Sequence, residues 1–367
     1  MGPPVDQWPL RIERKAWMDL KEAACNTSDY SLKEQAMAEL AQMLEGARVL
    51  VDTLTGVKPD EQVVILTDDG TPPRVAEVAA QAVRERNGVP VIVRMDTLPS
   101  PNLEPPPTVA AAIQRANVIM GFLSKSIFHT KARLAATQRG ARMISPTGIS
   151  EETLVRGLIK ADFFGIKPVV DDLGERITAG RRIHVTSPNG TDFTANIEGR
   201  RGNREIWSRE VGQVSGAPGI EVNVPPLEGT AEGKLIVDAS VAGIGLIHEP
   251  IHLTLERGRV TKFEGGEQAE ELARLIASAN DPRAYVIAEI GIGLNPEGEI
   301  TGNIIEDESA FGTAHVALGN NTAHGGENPA PIHVDMVFSE PTIEVDGHVI
   351  VAPGVPTLPS SRTSSDG

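Results

Sequence analysis

An α/β N-terminal domain with a parallel sheet, followed by an α+β, mainly antiparallel C-terminal domain, is the architecture this sequence predicts. Three observations carry it. Short apolar runs alternate with helical patterns as far as residue 165, the mark of a parallel sheet covered by helices. Beyond that point strand patterns dominate and one clear helix interrupts them, which suits antiparallel pairing. A length of 367 residues allows two domains. We place them at 1–165 and 166–355. The Pro/Ser/Thr-rich stretch 356–367 reads as a disordered tail.

Taken in order, residues 31–56 carry apolar positions at helical spacing and end at Gly56. Gln62–Thr67 is a buried-strand pattern closed by the turn Asp68-Asp69-Gly70. Helices over Pro73–Arg86, 107–115 and Thr130–Arg139 alternate with strands at Val91–Arg94, Val118–Gly121 and Arg142–Ser145. In the second domain the strands are Arg182–Thr186, Asp192–Ile197, Ile220–Val224, Lys234–Ala239, Ile251–Glu256, Tyr285–Ile290, Ile332–Phe338 and Pro341–Val345. Gly266–Ser278 is the helix among them.

Composition narrows the function. Aromatic residues make up only 4%, so aliphatic packing builds the core. A net charge of −16 argues against nucleic acid and anionic membranes, which would repel the chain. The single cysteine, Cys25, allows no internal disulfide and has no His motif beside it, so it is not read as a nucleophile. The opening MGPPVDQWPLRIERK lacks the apolar core of a signal peptide. No apolar run approaches the ~20 residues of a membrane span. The expected location is the cytoplasm, with the sequon Asn189-Gly190-Thr191 unused.

Chemistry concentrates between residues 289 and 335. On a strand, His333 and Asp335 point to one face while Ile332, Val334 and Met336 point to the other. His315 lies in Gly312-Thr-Ala-His-Val-Ala-Leu-Gly319, and Glu289 ends the apolar run Tyr285-Val-Ile-Ala-Glu. Charged groups in apolar settings need partners, and one metal ion would satisfy all four. Plainer readings stand beside this: a hydrogen-bonded His–Asp pair, a satisfied core histidine, an edge-strand glutamate. Two histidines with carboxylates suit Fe(II), Zn or Mn. His324 is read as a group supporting the ligands or as a proton shuttle, and Asp307 and Glu308 as a solvated loop or, less simply, as groups supporting the ligands. Gly291-x-Gly293 and Gly243-x-Gly245 lack the third glycine of a dinucleotide site. Neither a phosphate-loop lysine motif nor a Gly-x-Ser-x-Gly elbow is present.

Glu289-Ile-Gly-Ile-Gly-Leu-Asn-Pro296, the Gly312–Gly319 segment and His333-x-Asp335, in this order, resemble the metal-binding half of the thermophilic-type metalloaminopeptidase superfamily. That superfamily includes the 2,5-dihydroxypyridine 5,6-dioxygenases of bacterial nicotinate degradation. The segment from His129 to Arg142 resembles its N-terminal domain, and Asn223–Thr230 with Gly233–Asp238 its central strands. The peptidases of the group look like two-metal enzymes, with a further Glu in a Pro-x-Gly-Glu stretch and a Tyr soon after the Gly-Thr-x-His histidine. Here no Tyr follows His315, and Asn223-Val-Pro-Pro-Leu-Glu228-Gly shows no clear Gly-Glu. The resemblance therefore implies the dioxygenase branch: a mononuclear non-haem Fe(II) enzyme cleaving a hydroxylated pyridine or related aromatic with O₂. Its metal ligands would be Glu289, His315, His333 and Asp335. Glu289 would be ligand or base, with His324 as the second catalytic group and His129 and Arg133 binding an acidic ring. The alternative is a Zn- or Mn-dependent hydrolase, either an aminopeptidase or a small-ring amidase. The resemblance also implies a homodimer or larger homo-oligomer.

Overall fold

A computed structural model describes residues 30–353 and 355–356 of the chain. The first sheet is parallel, in the order β2-β1-β3-β4-β8. Its strands are β1 (Gln62–Thr67), β2 (Val89–Arg94), β3 (Val118–Phe122), β4 (Arg142–Ile144) and β8 (Val214–Ser215). Alternate side chains feed two cores. Val63, Ile65, Val118, Met120, Phe122 and Ile144 enter one; Val64, Leu66, Ile119 and Met143 enter the other. Strands buried on both faces need helices on both sides. These are α1 (Tyr30–Arg48) and α2 (Pro73–Glu85) against the first core, and α3 (Pro107–Ile113) and α4 (Lys131–Gln138) against the second. The β8 pairing brings residues from beyond position 165 into this sheet.

The helix expected over 31–56 stops at Arg48 as an α-helix and continues as a π-helix over Val49–Thr55, with Gly56 left-handed at its end. Its last carbonyls are exposed to a buried neighbour. Arg142 Nε donates to Thr55 O at 3.1 Å and Nη2 to Gly56 O at 3.4 Å, satisfying them. The same guanidinium forms a bidentate pair with Glu61 at 2.9 and 2.6 Å. Burial pushes the Glu61 carboxyl up, but Arg142 and the Lys58 N–H more than offset this and hold it below its usual value. The pair's contribution is therefore present above the unfolded carboxyl's pKa and lost as pH falls through the lower folded value. Arg142→Met is expected to destabilise by about 3 kcal/mol at neutral pH. Glu61→Gln should lower the melting temperature at pH 7, and that deficit should shrink as pH falls through the lowered folded value. A deficit independent of pH would contradict the assignment.

Helix α5 (Phe163–Ala179) was not expected; it runs through Gly165, Pro168 and Gly174. Asp162 caps it by accepting from Gly165 N at 2.9 Å. Gly174 lets the helix lie against β7 (Asn203–Glu205), since a Cβ there would stand 2.5 Å from Arg204 Nε.

The remaining strands form two antiparallel sheets. One runs β14-β13-β10-β6-β5-β18-β19-β20. Its strands are β5 (Arg182–Thr186), β6 (Asp192–Asn196), β10 (Glu232–Val237), β13 (Ile251–Glu256), β14 (Arg259–Glu264), β18 (Thr342–Val345), β19 (His348–Ala352) and β20 (Val355–Pro356). Helix α6 (Glu267–Ser278) buries Ala269, Leu272 and Ile276 at helical spacing. The other sheet runs β12-β11-β17-β16-β15-β9-β7. It adds β9 (Glu221–Val224), β11 (Ser240–Val241), β12 (Gly245–Leu246), β15 (Ile287–Gly293), β16 (Thr313–Gly319) and β17 (His333–Ser339). Strands β14, β16 and β19 were not among the expected strands; of the three only β16 alternates, with Ala314, Val316 and Leu318 on its core side. Pro356 pairs with Val351, so it lies in a strand rather than the expected tail. Cys25 and residues 357–367 lie outside the described residues. No helix among the described residues is long and apolar enough to cross a membrane.

Candidate metal centre

One face of the seven-stranded sheet is core and the other is polar. Val222, Val224, Ile290, Ile292, Val316, Leu318, Val334, Met336 and Phe338 point into the core. Their alternates point the opposite way, and cross-strand register aligns them. Asp335 pairs with Ala317 and His333 with Gly319. Glu289 pairs with Ala317 and Gly291 with His315. Asn223 pairs with Gly291 and Glu221 with Gly293. One side of the sheet thus carries His333, Asp335, His315, Glu289 and Glu221 on four adjacent strands. The glycines between them make room. A Cβ on Gly291 would lie 2.0 Å from His315 Cε1 and 2.1 Å from its Nε2, so only glycine admits that imidazole.

Loops complete the site. His324 lies in the connection between β16 and β17, pinned by Glu228, which accepts from Asn321 Nδ2 and Glu327 N at 2.8 Å each. Asn203 Nδ2 donates to the His324 carbonyl at 3.0 Å. Glu308 follows helix α7 (Ile304–Asp307). His129 arrives from the N-terminal domain, its ring centroid 5.5 Å from that of His333 and 5.9 Å from that of His324. These residues line a cavity of about 390 Å³.

The side chains converge. Glu289 Oε2 stands 3.3 Å from both His324 Nε2 and His333 Nε2. His315 Nε2 is 3.7 Å from Glu289 Oε1 and from Glu221 Oε2. His333 Nε2 is 3.1 Å from Asp335 Oδ1, while its Nδ1 lies 2.6 Å from the Asn320 carbonyl, which fixes Nδ1 as the protonated nitrogen and leaves Nε2 for the site. Three overlapping groups have ligating atoms within 4.8 Å of one another: Glu289, His324 and His333; Glu221, Glu289 and His315; Glu308, His315 and Asp335.

This donor set fits a divalent ion. Two donors each about 2.1 Å from one ion stand roughly 3.0–3.4 Å apart, close to the 3.3 Å separations at Glu289. Glu221 Oε2 is buried with no hydrogen-bond partner in the protein, and an ion would supply one. The electrostatics agree. Burial would raise the Glu289 carboxyl, but His324, His315 and His333 hold it well below the usual range. Burial pushes Glu221 up to about 7 against the pull of His315, with Glu289 adding to the rise. Burial, then Asp335 and Glu221, raise Glu308 well above its usual value. His315 is driven up to about 10: burial opposes its charge, but Glu221 and Glu289 prevail. Burial, then His333 and His324, hold His129 well below the ordinary imidazole value. Carboxylates crowded this closely need a shared proton or a cation.

All four predicted ligands enter these groups, and His324 joins them as a donor. His129 lines the cavity. Arg133 does not: it lies behind Phe128, its Nε bonded to the Phe128 carbonyl and its guanidinium 5.3 Å from that ring. Among the described residues, no Lys or Arg lines the cavity. Glu228, in the stretch without a clear Gly-Glu, pairs with Arg200 at 2.6 Å. A carboxylate not predicted, Glu221, stands in the site beside Glu289 and His315. Its strand alternates as Glu-Val-Asn-Val, so the polar-face signal was present in the sequence. Asp307 and Glu308 are not a solvated loop. Asp307 is fully buried, accepting from Thr301 N at 2.6 Å and Gly302 N at 3.0 Å.

A cleft that gathers three histidines and four carboxylates between an α/β domain and an antiparallel sheet defines the class, a metal-dependent enzyme. The chain belongs to the 2,5-dihydroxypyridine 5,6-dioxygenase family, NicX, whose model matches residues 47–357. The curated 2,5-dihydroxypyridine 5,6-dioxygenase of Pseudomonas putida KT2440 is 29% identical over 187 residues, which cover 47% of this chain and 53% of that protein. The aligned stretch thus spans about half of that relative's length. Two solved structures share the fold. The 2,5-dihydroxypyridine dioxygenase from Pseudomonas putida KT2440 superposes with a TM-score of 0.77 at 22% identity, over 88% of this chain and 98% of that one. AmpT from Thermus thermophilus does so with a TM-score of 0.66 at 16% identity, over 87% and 99%.

Proposed function

We propose that this chain is a mononuclear non-haem Fe(II) dioxygenase that opens the ring of a hydroxylated pyridine or related aromatic. The observation that carries the reading is the group Glu289, His324 and His333. Two imidazoles and one carboxylate facing an open cavity are the donor composition of non-haem Fe(II) oxygenases. Family membership points the same way. Asp335 and His315 stand beside these three, 3.1 Å from His333 and 3.7 Å from Glu289. Bound there, Fe(II) supplies Lewis acidity toward a substrate oxygen and electrons for O₂.

The chain's own residues do the rest. His129 lines the cavity and is kept neutral by burial, so it presents a neutral imidazole to hydrogen-bond a ring hydroxyl. Phe128 gives the ring an apolar wall. The Asn320 carbonyl fixes the His333 imidazole through its Nδ1. The cavity of about 390 Å³ holds a single-ring substrate and sheds its water. Anaerobic loading with Fe(II), followed by O₂ and 2,5-dihydroxypyridine, is expected to give O₂ uptake. Turnover supported by Zn or Mn without oxygen would overturn the reading.

Glu221 favours a second reading, a hydrolase holding two ions with Glu289 between them, because the two groups that share Glu289 lie side by side. Glu221→Gln separates the two. The dioxygenase reading expects one iron per chain before and after the change, and a fall in activity below about 10-fold. Two ions falling to one, with activity on amides under argon, would select the hydrolase.

A further inference from the structure

The polar row on the site face extends past the donor groups. Strand β7 is the last strand of the seven-stranded sheet, and Glu205 stands opposite Glu221 in its register with β9. Cross-strand partners share a face. Glu205 therefore lines the same cavity as His315, His324 and His333, one strand spacing, ~4.8 Å, beyond Glu221.

Of the five carboxyl groups lining that cavity, Glu205 alone belongs to none of the donor groups. Its hydrogen bonding is incomplete. Oε2 accepts from Gly216 N at 2.9 Å. Oε1 lies 3.5 Å from Asn223 Nδ2, whose shorter bond, 2.7 Å, goes to Glu221. A carboxyl group keeps acceptor positions whether or not it carries a proton, so Glu205 keeps room to accept from a molecule in the cavity. With no Lys or Arg on the lining among the described residues, the occupant that suits this wall is a hydrogen-bond donor without a carboxylate of its own.

We propose that Glu205 reads the ring nitrogen: it accepts the N–H of a pyridone-type substrate whose hydroxyl faces the histidines. This rests on the ring-cleaving reading above. A carbocyclic ring of the same shape presents a C–H at that point and leaves the acceptor position of Glu205 that faces it unpaired. Glu205 is thus a specificity residue, not a metal ligand.

The test is anaerobic titration calorimetry on the Fe(II)-loaded protein with 2,5-dihydroxypyridine and its carbocyclic twin, hydroquinone. Wild type is expected to bind the pyridine about 10- to 100-fold more tightly. Glu205→Ala should bind the two nearly equally, through lost affinity for the pyridine. Glu205→Gln keeps a carbonyl acceptor and should retain part of the preference, with iron content and circular dichroism unchanged in both variants. An unchanged preference in Glu205→Ala, no preference in wild type, or loss of iron from either variant would overturn the assignment. O₂ uptake is read separately. A tightly bound pyridine that consumes no O₂ would sink the dioxygenase reading and leave the ring-nitrogen assignment standing.

Discussion

His333→Ala is expected to strip the metal from the protein and lower turnover by more than about 100-fold, since losing a ligand exceeds the usual cost of losing a ligand's supporting group. The side chain's position gives the reason. Nε2 lies between Glu289 at 3.3 Å and Asp335 at 3.1 Å, and Nδ1 is tied to the Asn320 carbonyl. Removing the ring leaves two buried carboxylates facing each other with no cation between them. The fold should survive, because Val334, Met336 and Phe338, on the other face of β17, supply its core contacts. Metal content by elemental analysis and circular dichroism on one preparation check both statements. A folded variant that keeps its full metal content would show that His333 is a hydrogen-bonded core histidine.

Gly291→Ala should be nearly as damaging, although the side chain gained is a single methyl. That methyl would sit 2.0 Å from His315 Cε1, so the imidazole must leave its place. Overpacking of this kind costs about 1–3 kcal/mol, and the displaced His315 takes its donor atom out of two of the three groups. Metal affinity and turnover should fall together with the melting temperature. The double variant Gly291→Ala/His315→Ala should melt higher than Gly291→Ala alone, because the collision partner is gone. Simple additivity of the two losses would mean that Gly291 does not serve to seat His315.

Much of this was legible in the sequence for one physical reason. Residues two apart on a strand share a face, so Ile332–Phe338 announces both a core side and a ligand side. The same alternation runs through Glu221-Val-Asn-Val224. It was not read as part of the site, because Glu221 reaches the histidines only through the pairing of β9 with β15, and register between distant strands is a tertiary fact. Glu308 follows a short helix in an aperiodic stretch, where no pattern marks direction. Arg133 shows the converse: the sequence supplies a cation, but its buried guanidinium is spent on the Phe128 carbonyl. Helix α5 was hidden by Gly174, a residue that signals a break in isolation and close packing against Arg204 in the fold. Glu205, on the edge strand, gives no sign in the sequence, since its importance comes only from the strand beside it.

The central claim is that the sheet face carrying Glu289, His315, His333 and Asp335 holds iron and directs O₂ into an aromatic ring. Turnover of 2,5-dihydroxypyridine by the Fe(II)-loaded protein under ¹⁸O₂, with the ring-opened product weighed by mass spectrometry, tests it most directly. The account predicts that both atoms of one O₂ enter each product molecule. A product that takes its new oxygen from water, at a rate unaffected by removing O₂, would contradict it.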